Sequence, residues 1–493
     1  MSTPGVSGLS LYVPKLRVPL SEWAAWTGAP AEKVEAIVGR SFRVCGPGQS
    51  VYTMAAAAVL DLIVRYDVDP RDVGFLGFGT ESSTDNAAGA VLIRGMIDDA
   101  LFEMGRPPLA RSCEVPEFKH ACLGGVYGLK AAARYLSYDG RGRRAIVVSA
   151  DIAEYERGST GEQTQGAGAV AMLLDAKPEM FTLELDQAGS SSAYRGVDFR
   201  KPFARHRARG YAPKTERMHD FPVFNGKYST VCYVDATVHA LDHMFRRIGG
   251  SRTAFFDEVA MVVCHRPYHH MPQQAMAASM VWTMARELEE QGELVLMCEE
   301  AGIDPRAVLA EVGGSPDLFT NVRESGVDLE PYPAAMKLSR HVRKTAAFRR
   351  FLATKMHLGE SIVRDLGNLY TASLPAWLGA ALEDAFATGE DLTGKTVLAI
   401  GYGSGDAAEA IPLTVVPGWE RAAAKLGFAE ALREAIDLDR EQYEALHDGR
   451  PTPDLPRVES DPFVIDRVGE STDAEFQDVG IEYYRFAGMR EAG

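Results

Sequence analysis

The chain has 493 residues, 46% of them hydrophobic and 24% charged, an ordinary globular composition. Its formal charge of −16 argues against general binding to nucleic acid. The six cysteines (45, 113, 122, 232, 264 and 298) form no CxxC pair, so neither a disulfide framework nor a zinc site is expected, and a reduced, cytoplasmic setting is the default.

The opening stretch MSTPGVSGLSLYVPKL has no basic segment leading into an apolar run, so no signal peptide is expected. The most apolar run, YTMAAAAVLDLIV, is interrupted by Asp61 and is too short to span a bilayer. It belongs to a predicted helix over 49–66, followed by a buried strand, VGFLGFGTE (73–81), that ends at Glu81. In FKHACLGGVYGLKAAARYL (118–136), apolar residues recur at helical spacing from Leu123 onward, with Cys122 at the first turn. A helix start lowers the pKa of a thiol, and Gly124 and Gly125 would let a substrate approach the backbone closely. RAIVVSAD (144–151) and GAGAVAMLL (166–174) are two more buried strands, so the first part of the chain has an α/β pattern.

Residues 176–255 are expected to form a connecting insertion. It carries RKPFARHRARGYAPKTERMH (200–219), where Arg200, Lys201, Arg205, Arg207 and Arg209 form either a solvated loop or an anion dock. A further strand-like segment, EVAMVVCHRP (258–267), ends near His265. Residues 281–345 are mostly helical, and KLSRHVRKTAAFRR (337–350) is expected to present a basic helix face. NLYTASLPAWLGAALEDA (368–385) is a small-residue helix like the one after Cys122, and KTVLAIGYGSGDAAEAIPLTVV (395–416) gives two strands around a Gly-rich turn, as 144–174 does. The order repeats. We therefore expect a duplicated α/β unit with halves at 1–175 and 256–420, and a surface extension at 421–493. In this alignment Cys122 and Asn368 occupy matching helix starts, and polar residues at strand ends cluster between the halves.

Glu81, Cys122, His265 and the GYGSG turn then suit acyl transfer through a thioester, followed by proton abstraction beside a carbonyl. Backbone N–H groups at Cys122 and in the turn would form an oxyanion hole. Pro267 argues against a metal site built from His265, His269 and His270, and GYGSG lacks the lysine and spacing of a phosphate-binding loop. No metal is expected.

Several motifs occur in order: GTES with Glu81, ACLGG with Cys122, ADIAEY with Tyr155, GEQTQGAGAVAMLL with Thr164, VDFRKP with Asp198, HRPY with His265, GNLYTASL with Asn368, and GYGSG with Ser404. Together they resemble the 3-hydroxy-3-methylglutaryl-CoA (HMG-CoA) synthase family of the thiolase superfamily. The resemblance implies a duplicated thiolase-like fold with five αβαβα layers, usually a homodimer. It implies a Glu81/Cys122/His265 triad, with Tyr155, Thr164, Asp198, Asn368 and Ser404 as substrate contacts. It implies that acetyl-Cys122 is deprotonated by Glu81 and condenses with an acetoacetyl thioester oriented by His265, with no cofactor beyond the thioester substrates and no membrane or nucleic-acid partner.

The sequence also departs from the family. CoA-using members carry lysines just after the His motif, where this chain has YHHMPQQA, with His270, Gln273 and Gln274. His120 stands two residues before Cys122, where many relatives have Glu, and the stretch 113–121 is longer than usual. A related branch acts on acyl chains carried by an acyl carrier protein, installing β-branches in polyketides. The basic stretch at 200–217 fits either CoA phosphates or an acidic carrier. A decarboxylating ketoacyl synthase and a non-catalytic thiolase-fold partner are the remaining alternatives.

Overall fold

The computed structural model describes residues 3–83, 86–201, 221–318, 330–452 and 461–488, together with 324, 326 and 455. Its main sheet has ten strands: β1 (Gly5–Tyr12), β2 (Val73–Gly79), β3 (Glu117–Phe118), β4 (Arg144–Ala153), β5 (Gly166–Asp175), β6 (Phe181–Leu183), β7 (Gly189–Ser192), β8 (Met261–Cys264), β9 (Thr396–Gly403) and β10 (Ala407–Val415). The principal helices are α1 (Val51–Arg65), α2 (Gly89–Glu103), α3 (Gly124–Ser137), α4 (Gly226–Ile248), α5 (His270–Arg286), α6 (Pro333–Val342) and α7 (Ser373–Thr388).

The strand order is β8-β9-β10-β6-β1-β5-β4-β2-β3, with β7 also paired to β10. This order is nearly a palindrome. Antiparallel β1 and β6 meet at its centre, through Gly5 opposite Thr182 and Val6 opposite Phe181. On one side β4 pairs antiparallel with β5 and parallel with β2; on the other, β9 pairs antiparallel with β10 and parallel with β8. The duplication is therefore present in the backbone.

Alternation along the strands builds the layers. On β4, Ile146, Val148 and Ala150 join the core under α1 and α2, while Ala145 and Val147 face the opposite core. Leu123 and Val126 at the start of α3 and Leu374 of α7 crowd Gly401 of β9, so these two helices lie between the halves. Helix α4 packs on β7 and β10 and against α5, forming the far outer layer. The result is the five-layered αβαβα arrangement of the thiolase-like fold.

The second half starts earlier than the sequence pattern suggests. Residues 176–255 are not a connecting insertion, because β6 and β7 belong to the main sheet and the 23-residue α4 matches α1 in position. Repeat detection fails here because β6 has only three residues and α4 opens with polar Lys227, Ser229 and Thr230, unlike the apolar α1. The match of Cys122 with Asn368 is also shifted by three residues. α3 starts at Gly124 and α7 at Ser373, and each is preceded by a left-handed non-glycine residue, Ala121 (φ 44°) and Tyr370 (φ 43°). The counterpart of Cys122 is therefore Thr371.

The C-terminal segment wraps the first half and also supplies buried residues. Residues 436–437 pair with the strand Leu16–Pro19, and the helix Arg440–His447 buries Tyr443 and His447. A hairpin (Phe463–Val468 with Glu482–Phe486) lies against α1 and α2.

Candidate active site

Cys122 sits two residues before α3, in a tight turn where Ala121 adopts an uncommon left-handed conformation. The turn is clamped by close packing. A Cβ on Gly125 would come within 2.1 Å of Ser149 Oγ, and one on Gly124 within 2.5 Å of the Phe118 carbonyl oxygen. These glycines thus seat α3 on the sheet, and do not open a path for substrate as the motif alone suggests.

The Cys122 thiol donates to Glu81 Oε2 at 3.4 Å. Glu81 is placed by Asp151, which is fully buried at the end of β4. Asp151 Oδ1 accepts from the backbone N–H groups of Glu81 (2.7 Å) and Ser82 (2.8 Å) and from the hydroxyls of Thr80 and Ser82. Its Oδ2 accepts from Thr371 N (2.9 Å) and Oγ1 (2.5 Å). One carboxylate therefore ties the Glu81 loop of the first half to the position in the second half that mirrors Cys122. Its only clue in sequence was its place in ADIAEY, far along the chain from Thr80–Ser82 and farther still from Thr371.

Burial first, then the charge of Asp151, push the Glu81 carboxyl up to about 8; Lys201 and the thiol hydrogen bond pull the other way. The Cys122 thiol is also raised well above its ordinary value, by burial and then by Glu81 and Asp151. The helix start was expected to lower it, but at this site the acidic, buried surroundings win. The resting pair is a protonated thiol against a carboxyl poised near neutrality.

His265 follows β8, and its backbone N–H donates to Ile400 O at 2.7 Å. Tyr233 O–H donates to the His265 carbonyl at 2.7 Å, and the Tyr402 ring stacks on the imidazole with centroids 6.4 Å apart. Among the described residues its Nδ1 has no hydrogen-bond partner. Burial drops its pKa to about 3, so the imidazole is neutral at physiological pH.

Cys122 and His265 line one cavity of about 300 Å³, together with Tyr155, Thr164, Asn368 and Ser404. The cavity brings together six of the eight residues singled out as catalytic or substrate-contacting. Glu81 reaches it through Cys122. Asp198 stands one layer back: its Oδ2 accepts from Tyr402 O–H (2.8 Å) and Gly405 N–H (3.3 Å), so it braces the turn carrying Ser404. Asn368 Oδ1 accepts from Tyr370 N at 2.9 Å and Ser373 Oγ at 3.1 Å, which fixes the start of the α7 segment. Tyr155 packs edge-on to Tyr370 and Phe199. Tyr370, Thr371 and Tyr402 went unnoticed in the sequence, because aromatic and hydroxyl residues in small-residue segments read as core.

The basic stretch divides. Arg200 is exposed on a short strand, while Lys201 lines a different cleft of about 190 Å³ with Ser82, Ser83 and Glu154, where its charge acts on Glu81. Arg205, Arg207 and Arg209 lie outside the described residues. The histidines of HRPYHH part ways: His269 faces Glu360 (3.5 Å) and His270 meets Arg343. Among the described residues no cluster of three or more His, Cys, Asp or Glu side chains could hold a metal ion. Among them, too, no helix is long and apolar enough to cross a membrane.

A duplicated αβαβα fold whose halves close on a Cys–Glu pair and a buried neutral His defines a condensing-enzyme type of thiolase-fold protein. Sequence profiles agree: "Hydroxymethylglutaryl-coenzyme A synthase N terminal" matches residues 2–179 and "Hydroxymethylglutaryl-coenzyme A synthase C terminal" matches 326–448, together more than half of the chain. The chain belongs to the hydroxymethylglutaryl-CoA synthase family. It is 27% identical over 457 residues to the hydroxymethylglutaryl-CoA synthase of Haloferax volcanii, covering 91% of this chain and 92% of that one. It is 26% identical over 447 residues to that of Enterococcus faecalis, covering 90% and 91%. Its fold is that of MvaS in complex with 3-hydroxy-3-methylglutaryl coenzyme A (TM-score 0.73, 23% identity, 99% of each chain). It also matches the curacin biosynthetic pathway HMG synthase in complex with acetyl donor-ACP (TM-score 0.67, 20% identity, 90% of this chain and 88% of that one).

Proposed function

We propose that this protein is an acyltransferase that joins an acetyl thioester to the β-carbonyl of an acetoacetyl thioester, forming HMG-CoA. The observation that carries the reading is the Cys122 Sγ–Glu81 Oε2 contact of 3.4 Å at the cavity shared with His265. Cys122 attacks the acetyl thioester carbonyl, and its proton leaves with the departing thiol. Glu81 then takes a proton from the methyl group of acetyl-Cys122. The resulting enolate carbon bonds to the acceptor's β-carbon, and the new alkoxide takes up the proton that Glu81 removed, giving the 3-hydroxyl and restoring the carboxylate. The neutral His265 donates a hydrogen bond to the acceptor oxygen as charge develops there. Water then cleaves the Cys122 thioester and frees the product. The residues use no cofactor other than the thioester substrates.

A decarboxylating ketoacyl synthase has no need of a carboxylate on the nucleophile, so the Glu81 contact favours condensation with deprotonation. A second reading, the carrier-protein form of the same reaction, is favoured by one feature: α5 opens with HMPQQA and offers no lysine or arginine in its first turns. Small acyl thioesters are the substrates in the first reading and an acyl carrier protein is a partner in the second. Reduced cysteines fit a cytoplasmic enzyme, and the family resemblance fits a homodimer. Steady-state kinetics with acetyl-CoA and either acetoacetyl-CoA or the carrier-bound acceptor test the assignment. HMG-CoA formation supports the first reading. A carrier-bound acceptor preferred by more than about tenfold in kcat/KM, equivalent to about 1.4 kcal/mol, supports the second. No HMG product from either acceptor refutes both.

A further inference from the structure

The first turns of α5 lack a cation, yet a cation reaches them from another helix. Tyr268 and Met271 form one wall of the cavity, and His270 lies between them in sequence. The Arg343 guanidinium, just past the end of α6, donates to His270 Nε2 at 2.5 Å. Its charge also acts on the Tyr268 phenol, which Gln274 Nε2 contacts at 3.3 Å.

Two features of Arg343 bear on what it can bind. It is half-buried, and among the described residues no carboxylate lies within ion-pair distance of it, whereas Arg340, one turn earlier, pairs with Glu330. A partly desolvated guanidinium held by a neutral imidazole keeps its full charge and most of its donors unspent, an arrangement matched to an incoming anion. The acceptor role of His270 orients the fork without neutralising it.

We propose that Arg343, positioned by His270, binds the phosphate of the pantetheine arm as the thioester enters past Tyr268 and Met271, so that α6 supplies the cation that α5 lacks. This rests on the condensing-enzyme reading above. The chemistry recognised is a phosphate ester on pantetheine, which CoA and a phosphopantetheinylated carrier share.

The test compares wild type and Arg343→Gln on three acetyl donors: acetyl-CoA, acetyl-pantetheine (which has no phosphate) and an acetyl-carrier protein. Acetylation of Cys122 is the readout. We expect a loss of roughly tenfold or more in kcat/KM for acetyl-CoA, the scale of one charge-assisted contact, with the change in KM and not in kcat. Acetyl-pantetheine should react equally well with both proteins. An equal loss with the carrier assigns the contact to the shared phosphate; a loss confined to CoA places it at the nucleotide end and overturns the proposal. Arg343→Lys should recover part of the loss, and Arg340→Gln should change nothing. An unchanged acetyl-CoA value, or an equal loss with acetyl-pantetheine, overturns the proposal. Failure of wild type to acetylate Cys122 with any donor would instead refute the functional reading.

Discussion

Glu81 gives the sharpest test of the electrostatics. Its carboxyl is raised from 4.5 to about 8, chiefly by burial and then by Asp151. A carboxyl with that pKa is about one-tenth ionised at pH 7 and about nine-tenths ionised at pH 9. Only the ionised form can accept the methyl proton. Because the folded-state pKa is raised, the active form is gained as pH rises through about 8. In acetyl-Cys122 the thiol no longer donates to Glu81, and that bond was one of the effects lowering its pKa, so the carboxyl is at least as hard to ionise at the condensing stage. The single-turnover rate of condensation, measured on preformed acetyl-enzyme, should therefore rise about tenfold between pH 7 and pH 9 and then level off. Glu81→Gln should lose this dependence and condense at least ~100-fold more slowly, the usual scale of general-base assistance, yet still accept the acetyl group. A wild-type rate flat from pH 6 to pH 9, or a Gln variant within about threefold of wild type, would refute the reasoning.

His265 should act on the acceptor: His265→Ala is expected to keep acetylation while raising the KM for the acetoacetyl thioester, and rapid-quench acylation against steady-state kinetics will separate the two. Since burial drops the pKa of His265 to about 3, no limb of the wild-type profile between pH 5 and pH 9 should disappear in that variant. Gly125→Ala places a Cβ at 2.1 Å from Ser149 Oγ and should destabilise the protein by about 1–3 kcal/mol, read as a lower denaturant midpoint.

Much of the candidate site was legible because a thiol, a carboxyl and an imidazole are chemically distinctive side chains and stand at element ends, where an α/β fold gathers polar residues. The strands around β4 and β5 and helices α1, α3 and α7 were readable from their apolar runs. What escaped was relational. Asp151 looks like any strand-end acid until the sheet brings Thr371 to it. The Cys122 thiol looked acidified by its helix, but the neighbouring carboxylates belong to other segments. Gly124 and Gly125 looked permissive toward substrate, yet Ser149 and the Phe118 carbonyl occupy the space. The start of the second half was hidden because a three-residue strand and a polar-fronted helix carry little periodicity. Arg343 read as part of a basic surface face, and only the packing of α6 on α5 sets it beside His270.

The central claim is that Cys122 carries the acetyl group. The direct measurement is intact-protein mass spectrometry, with peptide mapping, after brief exposure to acetyl-CoA and acid quench. One acetyl group per chain on Cys122, absent in Cys122→Ala and discharged as HMG thioester when acetoacetyl-CoA is added, is the predicted result. Cys113, Cys232, Cys264 and Cys298 are all buried with raised thiol pKa values and should stay unmodified. Full acetylation of the Cys122→Ala variant, or acetyl-enzyme that never transfers to an acceptor, would contradict the account.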